Sequence, residues 1–209
     1  MYRAAALVRP LIRENVTAET LAGELIRKAL HLLIAFVPIL ASYNLQATML
    51  LVGGGTLFYI FAEKLRIEGR TVFVISDLTV IASRKRDEGH FVLGPVTLGL
   101  GAMLALLLYP STAAAMAIWA LAFGDGLASL GGKLLRSVPI PFLRGKTVAG
   151  SLACFAAVLL SSWRISGSLS TALLIALAAT VLELVPLKDF DNLLLPVGTG
   201  FLAARILAA

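Results

Sequence analysis

Seven stretches of the chain run almost without charge and are separated by short polar breaks: Ala29–Tyr43, Gln46–Phe61, Val92–Tyr109, Ala113–Leu134, Gly145–Trp163, Ser168–Leu187 and Leu193–Leu207. A helix needs about 20 predominantly apolar residues to cross a bilayer, and the first stretch gains that length from the turn Glu24 to His31 that leads into it. The pattern predicts an all-α, polytopic integral membrane protein with about seven transmembrane helices in a single domain, residues 1–209. Two more helices complete it. Tyr2 to Val16 alternates arginine with apolar residues, which suits an N-terminal interfacial helix on an anionic leaflet (residues 1–16). Val72 to Ala82 is apolar but too short to span, and it is expected to form a short amphipathic helix. The run Gly53-Gly54-Gly55 in the second stretch is expected to admit close helix packing.

Composition agrees with this pattern: 59% of residues are hydrophobic and 14% charged, against about 45–50% and about 25% in soluble domains. The net charge of +6 reports topology in such a chain, so it is no argument for nucleic acid as a partner. With the N-terminus in the cytoplasm, all of the 18 Lys and Arg except Arg164 and Arg205 fall in cytoplasmic segments, as the positive-inside rule asks. Every polar cluster then lies on or just under one membrane face. The N-terminus lacks the compact apolar core and cleavage site of a removable signal peptide. Cys154 is the single cysteine, which excludes a disulfide framework and leaves it as a small packing residue.

The chemistry follows from polar groups at membrane depth. Asp125 sits between Gly124 and Gly126 inside the fourth stretch, where an ionisable group costs roughly 2.5–3.5 kcal/mol and marks a functional site by default. Glu183 lies within the sixth stretch, and the same argument holds for it. Around them are Arg27, Lys28 and His31; Arg84 to His90; Lys133, Arg136, Arg144 and Lys146; and Lys188, Asp189, Asp191 and Asn192. Arg27 and His31 share a helix face, as do Glu24 and Lys28, and that spacing suits the grip of an anion. Two histidines in no zinc spacing point to acid–base or phosphate roles. The hard-oxygen set Asp125, Glu183, Asp191 and Asn192 suits Mg²⁺, which binds through a few carboxylates plus substrate phosphates. Gly145-Lys146-Thr147 is not a P-loop, since Ile140 stands where the first glycine is required. It does open a helix, whose free N–H groups would favour a phosphate there.

Taken in order, Glu24-x-x-Arg27-Lys28-x-x-His31, Arg86 to His90 followed by Leu93-Gly94, Gly124-Asp125-Gly126-x-Ala128, Lys146-Thr147-x-x-Gly150-Ser151, and Glu183 followed by Asp191-Asn192-x-x-x-Pro196 resemble the motifs of the CTP-dependent lipid kinases, the family of dolichol kinase, phytol kinase and CTP-dependent diacylglycerol kinase. The resemblance implies transfer of a phosphoryl group from CTP, with Mg²⁺, to the hydroxyl of a membrane lipid alcohol. The chain is shorter than dolichol kinases usually are, which favours a compact prokaryotic kinase of a polyprenol, an isoprenoid alcohol or diacylglycerol, with its active site on the cytoplasmic face of the cytoplasmic membrane. It places Asp125, Glu183, Asp191 and Asn192 around the metal, and Arg27, Lys28, His31, Arg86, Lys133, Lys146, Thr147, Gly150 and Ser151 on the nucleotide and its phosphates. Asp87, His90 and Asp125 are alternatives for the base. Two rivals remain at this stage: a phospholipid cytidylyltransferase using the same groups, and a transporter of anionic solutes or lipids. The transporter is disfavoured by the absence of an internal repeat and of polar residues in the outer halves of the spans.

Overall fold

The structure is a computed structural model, and it describes residues 23–83, 87, 89–135, 137–141, 143 and 145–208. The expected interfacial helix over residues 1–16 and Arg86, expected as a phosphate ligand, lie outside the described residues. Among the described residues the regular structure is helical apart from one isolated bridge, and the helices follow the apolar stretches: α1 (Gly23–Tyr43), α2 (Leu45–Ile67), α3 (Phe73–Ala82), α4 (Gly94–Leu108), α5 (Ser111–Leu134), α6 (Val148–Ser166), α7 (Leu169–Leu184) and α8 (Lys188–Ala208). Five of these, α1, α2, α5, α6 and α8, are long and apolar enough to cross a membrane by length and composition. The 15 residues of α4 and the 16 of α7 are shorter than that. The number of helices of spanning length among the described residues is therefore five where the apolar pattern predicts about seven.

Local chemistry sets the ends. Asn44 caps α2 by accepting from the Ala47 N–H at 2.9 Å, and Ser168 caps α7 through Thr171 at 3.3 Å. Gly167 turns the chain between α6 and α7 with φ of 66°, a conformation that favours glycine. α2 continues past Phe61 because its last turns are held together by Glu63 and Arg66 rather than dissolved in a polar loop.

The centre of the bundle is α5. Two thirds of its spanning window is buried, against a third or less for α1, α2, α6 and α8. Ala113, Met116, Ala120 and Ala128 of α5 form one core with Cys154 and Val158 of α6, Ile175, Ala176 and Ala179 of α7, and Leu195 and Ala203 of α8. A second cluster joins Val37 of α1, Ala102 and Ala105 of α4, and Ala117 and Ile118 of α5. The small residues at these contacts let backbones approach closely, as in helix packing within lipid. The larger apolar side chains, such as Leu40, Leu57, Phe58 and Phe61 of α1 and α2, point outward. The glycine run of α2 divides in an unexpected way. A Cβ at Gly53 would touch Met103, but one at Gly54 or Gly55 would meet nothing within 4 Å. Close packing therefore explains only the first of the three.

At Ala120–Asp125 the helix widens into a π-helical turn that ends on Asp125. Such turns occur as single insertions in α-helices, frequently at functional sites. Gly124 is needed here, because a Cβ on it would lie 3.0 Å from Val158 Cγ2 and 3.3 Å from Cys154 Sγ.

Candidate functional site

The start of α1, the end of α2, the start of α4, the end of α5, the start of α6, the end of α7 and the start of α8 all meet at one end of the bundle. Between them lies a cavity of about 1090 Å³. Its polar wall carries Arg27, Lys28 and His31 of α1, Asp125 and Lys133 of α5, Lys146 and Thr147 before α6, Gly150 and Ser151 of α6, Glu183 of α7, and Asp191 and Asn192 of α8. Asp87 reaches it from the segment between α3 and α4. His90 does not line it; that residue is exposed in the following turn. The structure thus gathers the described candidate residues with the exception of His90.

Asp125 is not alone. Lys28 Nζ lies 2.8 Å from its Oδ2 and 3.3 Å from its backbone oxygen, and His31 Nδ1 is 3.2 Å from the same Oδ2. The fourth apolar stretch holds no basic residue before Lys133, and the cation beside this carboxylate, Lys28, arrives from a different helix. Lys133 instead pairs with Glu24 at 2.6 Å, and Arg27 binds Glu24 as well as the carbonyl of Ala82. Glu24 and Lys28, which share a face of α1, thus take different partners: Glu24 binds Arg27 one turn on and Lys133 of α5, and Lys28 binds Asp125. Lys146 binds Glu183, whose side chain is almost fully buried. Among the described residues no three His, Cys, Asp or Glu converge on a point where they alone would hold a metal ion.

Other expected ligands serve the fold at least in part. Asn192 donates from Nδ2 to Thr97 Oγ1 at 3.0 Å and to the Gly94 carbonyl at 3.3 Å, tying α8 to the start of α4. The N-terminus of α6 has already used its free N–H groups. Val148 donates to the Val138 carbonyl at 3.1 Å, Ala149 to Ser137 Oγ at 2.9 Å, and Gly150 to Thr147 Oγ1 at 3.1 Å. The phosphate cradle expected from a bare helix start is therefore capped by side chains and by the loop doubling back on itself. What this segment still presents to the cavity is the Lys146 side chain and the Ser151 hydroxyl, which has no hydrogen-bond partner among the described residues. Gly150 lets α6 approach α5, since a Cβ there would be 2.7 Å from the Ala128 carbonyl. Lys188, also on the cavity wall, holds φ at 57°, which a non-glycine residue rarely adopts.

One supporting cluster escapes a reading of sequence. Glu63 of α2 is buried and takes both of its 2.7 Å bonds from Arg66, and its Oε1 also accepts from the Val92 N–H at 2.8 Å. Tyr59 donates to the Val92 carbonyl at 3.0 Å, and Arg66 to that of His90 at 3.0 Å. Together they clamp the chain between Asp87 and α4. Glu63 lies just past a predicted span, where a carboxylate looks like an ordinary solvent boundary.

These features define a class: an apolar helical bundle with buried ion pairs at one end, around a cavity that has one polar and one apolar wall. A protein of Zea mays described as a probable chloroplastic phytol kinase is 26% identical over 163 aligned residues, which cover 69% of this chain and 54% of that protein. The chain thus spans about half the length of the curated relative it matches. No protein-family model matches the sequence. No solved structure matches it either.

Proposed function

We propose that this protein is an integral membrane kinase that transfers the terminal phosphoryl group of CTP to the hydroxyl of a lipid alcohol, with its site at the cytoplasmic face of a prokaryotic cytoplasmic membrane. The observation that carries the reading is the place of Asp125: a carboxylate held by Lys28, with His31 beside it, where the cationic and apolar walls of one cavity meet. The name of the maize relative supports the same reaction type, as do the ordered motifs of the sequence and the apolar helices.

Phosphoryl transfer asks mainly for positioning and for neutralisation of charge on the transferred group. Arg27, Lys28, Lys133 and Lys146 supply positive charge along the polar wall, and Ser151 supplies a hydroxyl. The acceptor oxygen forms its bond to the terminal phosphorus as the bond to the bridging oxygen breaks, and CDP leaves. Asp125 and Asp87, both on the wall, are the groups placed to take the hydroxyl proton. Mg²⁺ arriving with the nucleotide would be held by Asp191 and by Asp125 once Lys28 lets it go, and would neutralise phosphate charge. Glu183, taken up by Lys146, and Asn192, taken up by Thr97, join that set only if they change partners.

The test is transfer of label from the terminal phosphate of CTP, and separately of ATP, to a panel of lipid alcohols by the purified protein in vesicles. Label on the alcohol from CTP is expected, with Asp125→Asn reducing turnover by at least about a hundredfold and Asp87→Asn showing which carboxylate takes the proton. Release of pyrophosphate with the cytidine retained on lipid would replace this reading with a cytidylyltransferase. Absence of any transfer to the alcohols would remove the kinase.

A further inference from the structure

Below the Asp125 region the cavity continues as an uncharged limb between Leu33 and Ile34 of α1 and Leu51, Val52 and Gly55 of α2. Ile34 and Val52 pack on the core cluster around Val37 and Ile118. The strongly exposed residues of the limb, Leu33 and Leu51, lie on α1 and α2, and they place its opening on that side. Leu33 and Leu51 at that opening are 60% and 64% exposed, and both Gly55 and its neighbour Gly54 face open space. Along α2 the eight residues from Tyr59 to Leu51 correspond to ~12 Å of depth. At about 1090 Å³ the whole cavity exceeds the ~300–1,000 Å³ usual for a site holding a single small molecule. A phosphoryl donor would engage the charged residues of the polar wall, none of which belongs to the limb.

Resting on the kinase reading above, we infer that this limb receives the hydrocarbon tail of the lipid alcohol. The hydroxyl points to Asp125 and the tail leaves sideways past Gly55 into the surrounding lipid. The continuity of limb and site argues for that occupant, since one molecule with a polar end and a long apolar body fills both. It also follows that the protein reads the first ~12 Å of the tail and is indifferent to what lies beyond the opening.

Glycines 54 and 55 supply a matched pair for the test. Both have room for a side chain, and replacing glycine raises helix propensity at either position, but only Gly55 lines the cavity. The probe is a long-chain primary alcohol carrying a photoreactive diazirine near its hydroxyl end, offered in phosphatidylcholine vesicles without nucleotide. The wild type should be labelled on α1 and α2 around Leu33 and Leu51. Gly55→Phe should lose that labelling by about tenfold or more, equivalent to about 1.4 kcal/mol, and the smaller Gly55→Val should lose part of it, while Gly54→Phe behaves as the wild type. Non-photoreactive alcohols differing only in tail length beyond the opening should compete equally. Equal labelling of Gly55→Phe and Gly54→Phe would overturn the inference, as would label concentrated in the apolar groove between α5 and α6 at Leu127 and Leu160. Because the assay needs no donor, intact and Gly55-sensitive labelling in a protein that transfers no phosphate would keep the tail site and remove the kinase. Transfer to long-chain alcohols that ignores Gly55→Phe would do the reverse.

Discussion

Lys28 and Asp125 are 97 positions apart in the chain and 2.8 Å apart in space, both with little exposed surface. Removing one partner from such a pair strands the other charge and costs about 3–5 kcal/mol, whereas replacing both with neutral groups is often mild. Lys28→Met and Asp125→Asn should each lower thermal stability in detergent by that order, and the double variant should recover most of it, with activity absent in all three. A double variant no more stable than the singles would show that the two charges do not depend on each other. Lys146→Met should behave in the same way, because it strands the buried Glu183; adding Glu183→Leu should restore the melting temperature without restoring use of CTP. Each of these residues is legible alone in the sequence, as a charge in or beside an apolar run. Their pairing is not, because the partners come from different helices and the periodicity of one helix contains no information about its neighbour.

The π-helical turn of α5 and the clamp around Glu63 act at the scale of elements. Ala at position 124 would press on Val158 and Cys154, and overpacking of this kind costs typically about 1–3 kcal/mol. Gly124→Ala should therefore melt earlier, and Val158→Ala in the same chain should relieve part of the loss; a stable Gly124→Ala variant would show that the α5–α6 contact yields. In the clamp, Glu63→Leu strands Arg66 and leaves the Val92 N–H without its acceptor. Hydrogen exchange at Val92 should accelerate, with the amides of α8 unchanged. Helix ends were the least legible part at this scale. The end of α2 depends on Glu63 meeting Val92 29 positions later, and the start of α6 on Ser137 reaching Ala149 across a loop.

For the molecule as a whole, the seven apolar stretches and the gathering of polar groups at one end were legible, because hydrophobic runs and charge asymmetry are properties of the chain itself. The lengths of α4 and α7 were less so, since the apolar composition of Tyr109 or Leu187 does not say where a helix stops. Alternation of the helices places Asn44, Pro110 and Gly167 at the end opposite the cavity. Single cysteines at Asn44 and Gly167 in a Cys154→Ala background should react with an impermeant thiol reagent from outside intact cells, and one at Gly69 only after the membrane is opened. Labelling of all three from the same side would break the alternating arrangement.

The ion pairs along the polar wall also determine how any anion enters. Arg27 and Lys133 are engaged by Glu24, Lys28 by Asp125, and Lys146 by Glu183, so the polar wall resembles an ion-exchange resin loaded with its own counter-ions. On the proposed kinase reading, a triphosphate would compete with these carboxylates for the cations, and any carboxylate it displaced would be free to hold a divalent ion. Occupancy by nucleotide and by metal would then be mutually reinforcing, each removing a competitor of the other. Reciprocity requires that the metal tighten the nucleotide by the same factor by which the nucleotide tightens the metal.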